Sequence, residues 1–251
     1  MRKIVLPLTI IAMLLLVTPA FAITYGQPDG NLHPNVGALV GTFDGQTYPY
    51  CSGTLISPTV FLTAAHCDIG TSTVYVTFDS TYTSKSKLYS GTFHSDPLYN
   101  QSQNDPHDIA VVVFDKPITN IAPSRLPKAG QLDALSVNQK FTAVGYGGQE
   151  PVNQPGGPVI GYLDTREYAV SSLDAVNPAW LRLSQNQATG DGGTCYGDSG
   201  GPNFLGAGAA ETNIVAGTTI TGDSLCKATN VVYRTDTASA RNFLSGFVAL
   251  P

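Results

Sequence analysis

Short apolar or alternating runs recur along the chain after residue 22, each closed by turn residues. Val36–Thr42, Cys51–Ser57, Val60–Ala64, Val74–Phe78, Ile109–Phe114, Phe141–Tyr146, Glu167–Val170, Ile214–Thr219 and Val231–Arg234 have the β-branched or alternating character of strands. The stretches Gln149–Gly157 (QEPVNQPGG) and Asp191–Gly193 (DGG) read as loops. Helical spacing is confined to the C-terminus, where Asp236 or Thr237 can cap a segment carrying Ala240, Phe243, Leu244 and Phe247. No repeat is visible and no composition break marks a linker. Many strands followed by one helix predict an all-β sandwich or barrel. At 251 residues the chain fits one such domain and can bury a sizeable core.

Composition sharpens this picture. The 26 glycines and 17 prolines suit many short strands joined by turns. Charged residues are only 12%, the net charge is -5, and no basic patch stands out, which argues against a nucleic-acid partner. Residues 1–22 read as a signal peptide: Arg2 and Lys3, an apolar run from Ile4 to Val17, then Ala20-Phe21-Ala22 as a small-x-small cleavage site. The apolar run falls short of the ~20 residues that span a bilayer, and no later segment is long enough. The expectation is an exported protein, with no membrane contact once the signal is removed. Export permits disulfides among Cys51, Cys67, Cys195 and Cys226, whose three possible pairings the sequence alone leaves open. Their spacing has no C-x-x-C zinc pattern, and neither a metal nor a cofactor is expected, although a structural calcium remains open. Asn100-Gln101-Ser102 is a glycosylation sequon if the host glycosylates.

Three segments carry chemistry. Thr63-Ala64-Ala65-His66-Cys67 follows an apolar strand, Asp108-Ile109-Ala110 opens another, and Gly197-Asp198-Ser199-Gly200-Gly201-Pro202 is glycine-rich around a serine. A chance match to six fixed residues is on the order of one in 10⁷ per position. A lone histidine is more often structural than catalytic, but TAAHC in company with the other two segments reverses that weighting for His66. Asp105 competes with Asp108; the apolar strand after Asp108 favours the latter and leaves Asp105 as a solvated loop acid. His33, His94 and His107 are expected at the surface.

With the order His, Asp, Ser, the chain resembles the chymotrypsin-like serine peptidases over nearly its whole length from Ile23 onward. The resemblance implies two six-stranded antiparallel Greek-key barrels with the active site between them and a C-terminal helix. It implies a serine endopeptidase with His66, Asp108 and Ser199 as catalytic triad, and an oxyanion hole from the N–H groups of Gly197 and Ser199. By the same resemblance Cys51 pairs with Cys67, and Cys195 with Cys226. Ile23-Thr24-Tyr25-Gly26 resembles a mature start, so that an Ile23 amine freed by signal peptidase would pair with Asp198 unless another cation holds that acid.

The specificity pocket implied by the resemblance comprises Gly193, Ile220, Thr221, Gly222 and Val231. Gly193 stands where tryptic members carry an acid, so apolar or aromatic side chains are expected before the scissile bond rather than basic ones. Asp191 and Asp223 could reverse that if their loops reach the pocket. Ile220 and Thr221 depart from the family's usual serine and tryptophan, which removes a hydroxyl that helps hold the triad acid unless Thr219 or Thr221 replaces it. The expected partners are protein or peptide substrates and proteinaceous inhibitors, with a monomer as default. A silent binding module of the same fold and an esterase are the competing readings.

Overall fold

The computed structural model describes residues 23–251. The expected signal segment lies outside them. The first half contains β1 (Gln27–Pro28), β2 (Val36–Phe43), β3 (Gln46–Ser57), β4 (Val60–Thr63), β5 (Thr73–Thr77), β6 (Tyr89–Ser95) and β7 (Ala110–Phe114). The second contains β8 (Lys140–Gly145), β9 (Val152–Gln154), β10 (Gly157–Val159), β11 (Glu167–Val176), β12 (Trp180–Ser184), β13 (Pro202–Leu205), β14 (Val215–Gly222), β15 (Thr229–Arg234) and the helix α1 (Ala238–Leu244).

Strands β2 to β7 close into one barrel in the order β2-β3-β4-β7-β6-β5. Strand β5 thus lies beside β2, ahead of β3 and β4, which is the Greek-key order. The second barrel runs β8-β11-β12-β15-β14-β13 and closes because β8 pairs with both β11 and β13. Relabelled in chain order, its topology is the same as that of the first. Closure leaves no free strand edge within either barrel.

Burial explains why these segments are strands. In β4, Val60–Thr63, and in β7, Ala110, Val111, Val112 and Phe114, the residues are buried. Phe61, Phe78 and Phe114 pack edge-on or tilted inside the first barrel, with ring centroids 5.8–6.2 Å apart. In the second, Phe141, Leu173, Leu181, Leu183 and Val232 form the core. The C-terminal helix is capped by Thr237, whose hydroxyl accepts the N–H of Ala240 at 3.3 Å. Asp236, the other capping candidate, instead bonds Arg234 and the N–H of Leu132.

Several expectations are corrected. Gln149–Gly157 is not all loop: β9 and β10 form a hairpin from Val152 to Val159. The short strands β6, β12 and β13 carry polar residues or a proline that hid them. His33 is buried and bonded to Asp29 and Glu211, because it links the N-terminal segment to a distant loop. Asp105, His94 and His107 stay partly exposed, and each has a neighbour: Asp105 accepts the hydroxyl of Tyr233 at 2.8 Å, His107 bonds Asp96 at 3.1 Å, and the His94 ring lies 5.4 Å from that of Phe247. No helix of the described residues is long and apolar enough to cross a membrane.

Candidate active site

A strand register brings His66 to Asp108. Thr63 at the end of β4 stands opposite Ala110 at the start of β7, so the chain leaves one strand and enters the other at the same barrel rim. Past Thr63 the chain tightens into a 3₁₀ turn, Ala65–Cys67. A disulfide from Cys67 to Cys51 of β3 ties the turn down. His66 is left at the rim, its side chain 21% exposed beside an Asp108 side chain at 2%. Asp108 accepts twice from His66: the backbone N–H reaches Oδ1 at 3.0 Å and ring Nδ1 reaches Oδ2 at 2.8 Å. A carboxylate only accepts, so Nδ1 is the donor in this bond, and in a neutral ring the lone pair then falls on Nε2.

Among the described residues, no hydroxyl replaces the one that Ile220 removes. Thr219 Oγ1 instead accepts from Asn203 Nδ2 at 3.0 Å. Tyr99 does lie within electrostatic reach of Asp108: burial, then that negative charge, pushes its phenol up.

Ser199 sits on a loop of the second barrel whose carbonyls are all pinned. Cys195 O accepts from Asp198 N at 3.0 Å, Tyr196 O from Gly148 N at 2.8 Å, and Asp198 O from Gly201 N at 2.8 Å. Ser52, on β3 of the other barrel, binds the remaining two: its Oγ donates to Gly197 O at 3.0 Å and its N–H to Ser199 O at 2.8 Å. The N–H groups of Gly197 and Ser199 take no partner among the described residues. Gly197 has φ +95°, a region that side chains rarely adopt.

Asp198 faces inward and is fully buried, its oxygens accepting Gly147 N and Cys195 N, each at 2.8 Å. A Cβ at Gly145 or Gly147 would stand 2.1 or 2.4 Å from Asp198 atoms, so only glycine lets β8 pass this close. Burial pushes the carboxyl up to about 7, against the pull of the two amides. Among the described residues no cation bonds it. The buried Ile23 donates its N–H to Glu167 Oε2 at 3.1 Å rather than to Asp198. Glu167 stands opposite Gly145 in the β8–β11 ladder, and Gly145 packs on Asp198.

Two cavities meet at His66 and Ser199. One, of about 790 Å³, is lined by Tyr48, Tyr50, Ile69, Tyr162 and Tyr196. The other, of about 380 Å³, is walled by Thr194, Ile220, Thr221, Gly222, Asp223 and the Cys195–Cys226 disulfide. Of the five residues named for the pocket, Ile220, Thr221 and Gly222 line this cavity; Gly193 and Val231 do not. Gly193 bridges to Thr24, and a Cβ there would meet Gln185. Val231 pairs with Thr221 and Arg182 in the sheet. Asp191 is held away by Lys140 and Ser172. Asp223 borders the cavity, but its oxygens accept the N–H groups of Lys227, Ala228 and Thr229. Sequence reasoning missed Ser52, Tyr99 and the tyrosine-lined cavity; only contacts between distant segments reveal them.

One barrel delivering a carboxylate-bound imidazole to a serine loop of a second barrel is the plan of the chymotrypsin-like serine peptidases. Sequence comparison narrows the class: the family model described as Trypsin matches residues 32–244, and the chain belongs to that family. It is similar to a trypsin of Saccharopolyspora erythraea, 31% identical over 192 residues, covering 70% of this chain and 79% of that protein. It is also similar to a chymotrypsin of Phaedon cochleariae, 28% identical over 210 residues, covering 80% and 72% respectively. A thrombin-like enzyme, acutin, of Deinagkistrodon acutus is 30% identical over 169 residues, covering 61% and 68%.

Proposed function

We propose that this protein is a secreted serine endopeptidase acting through an acyl-enzyme on Ser199. The observation that carries the reading is the 2.8 Å bond from His66 Nδ1 to buried Asp108 in a cleft whose two cavities are both walled by His66 and Ser199. A serine hydroxyl needs an adjacent base at neutral pH. Ser199 Oγ attacks the scissile carbonyl while His66 Nε2 takes its proton. Asp108 holds the ring and stabilises the imidazolium. The carbonyl π pair moves onto oxygen, which the N–H groups of Gly197 and Ser199 receive. His66 then protonates the leaving amine, and water repeats the sequence to release the acid.

Residues 1–22 act as the signal peptide, and the two disulfides suit an oxidising compartment. Cleavage after Ala22 frees the Ile23 amine, which moves from Glu167 to Asp198 and supplies the cation this acid lacks. The pocket takes apolar or aromatic side chains, because its walls are neutral apart from Asp223. That carboxylate is already caged by three amides.

A panel of peptide anilides varying only the residue before the scissile bond tests both halves of the reading. The expected result is turnover of apolar and aromatic members, abolished in Ser199→Ala. Turnover confined to Arg and Lys would keep the peptidase and assign Asp223 the pocket charge. An inert wild-type protein with a correct Ile23 terminus would refute the peptidase reading in favour of a binding module.

A further inference from the structure

We propose that Ser52 is a positioning residue for the oxyanion hole, a role that rests on the peptidase reading above. Ser52 lies on β3 and is fully buried. Its hydroxyl donates to Gly197 O at 3.0 Å and accepts the N–H of Tyr146 at 3.0 Å, so both of its roles are filled. Its own N–H donates to Ser199 O at 2.8 Å.

These contacts fall on particular peptides. The Gly197 carbonyl belongs to the peptide between the two oxyanion donors, since one donor N–H precedes it and the other follows it by one residue. The Ser199 carbonyl belongs to the next peptide but one. Ser52 therefore grips the loop on both sides of the peptide that carries the Ser199 N–H. Of the carbonyls from Cys195 to Ser199, that of Gly197 alone is held by a side chain; the other four are held by backbone N–H groups. Gly197, at φ +95°, has no Cβ to restrict it and is the residue most able to rotate once that bond is lost. The hydroxyl also ties the loop to Tyr146, between the glycines that pack on Asp198. A rotated Gly197–Asp198 peptide turns the flanking N–H groups away from the developing oxyanion, and donors misplaced by a fraction of an ångström lose much of their effect.

Ser52→Ala removes the hydroxyl and leaves the backbone bond to Ser199. Using the anilide that the wild type turns over fastest, kcat should fall by ~10- to 100-fold, below the loss expected for deleting a donor outright. KM should stay within about 2-fold, because ground-state binding does not use the oxyanion hole. The decisive comparison uses two inhibitors built on the same peptide. A trifluoromethyl ketone adds to Ser199 Oγ and places an oxyanion in the hole; the matching alcohol cannot. Affinity for the ketone should drop by the same factor as kcat, with the alcohol unchanged. Ser52→Cys, a weaker donor of similar shape, should fall between the two and keeps the test available if Ser52→Ala does not fold. A variant with a lower Tm but wild-type kcat and ketone affinity would overturn the proposal, reducing Ser52 to a purely structural contact. Equal losses for ketone and alcohol would overturn it as well. Failure of the peptidase reading looks different: the wild type itself would turn over no anilide and take no fluorophosphonate on Ser199, and the inference would fall with it.

Discussion

At the scale of single residues, Asp108 decides how His66 is presented. Its two bonds from His66 fix both the ring's orientation and the tautomer. Asp108→Asn keeps the shape but offers Nδ1 a donor, which favours the wrong tautomer. The expected loss in kcat is on the order of 10⁴-fold, with KM little changed. A steady-state assay of the variant checks this, and a loss of less than about 10-fold would mean that the tautomer is held by something else. TAAHC, DIA and GDSGGP made this pair and its serine legible in the sequence. The hydroxyl of Ser52 was not legible, because a serine in a strand carries no signal until the loop it touches is in place.

At the scale of elements, a buried polar chain ties the N-terminal segment to β11 and to the loop at Glu211. Arg166 is fully buried and donates to Asp29 at 2.7 Å and to Tyr146 Oη at 3.2 Å. Asp29 also meets His33, which bonds Glu211 at 2.7 Å. Arg166→Met would leave the buried Asp29 without its guanidinium partner and should cost about 3–5 kcal/mol in a urea titration. His33 adds a pH signature. Burial pulls its ring down, but the bonds to Asp29 and Glu211 outweigh that and raise it from 6.5 to about 9. A base raised on folding stabilises most below its unfolded pKa, so this share is full below 6.5 and is lost as pH rises through about 9. His33→Gln should therefore be less stable than wild type below 6.5 and converge with it above about 9. Parallel stability curves for the two proteins across that window would contradict the assignment.

At the scale of the whole molecule, two barrels of the same topology each contribute part of one cleft. The first brings His66 and Asp108, the second Ser199, and Ser52 joins them. In the function proposed above, a freed Ile23 amine completes the arrangement by pairing with Asp198. With residues still attached before Ile23, Asp198 has no cation among its described neighbours and burial raises it from 3.8 to about 7. An acid raised on folding contributes most below 3.8, and that share is lost as pH rises through about 7. A chain extended before Ile23 should then lose Tm over this window more steeply than a chain beginning at Ile23, whose amine can pair with the ionised carboxylate. Thermal melts of the two forms across the window measure the difference; identical profiles would mean that the amine does not reach Asp198.

Local pattern along the chain was enough for the class of fold and for naming His66, Asp108 and Ser199 as candidates. Strand alternation is local, and the three motifs are contiguous stretches whose spacing survives in a linear reading. Asp198 could be named, but that it lies against Gly145 and Gly147 is a contact between segments far apart in the chain. The shared topology of the two barrels left no repeat in the sequence, since closure depends on which strands pair rather than on which residues recur. The pocket shows the same division. Ile220, Thr221 and Gly222 follow one another along β14 and reached its wall together. Gly193 and Val231 depend on how separate loops and strands pack, and the fold placed Gln185 and the partner strand against them instead. Position along the chain fixes neighbours within an element; only tertiary packing fixes which elements face the same cavity.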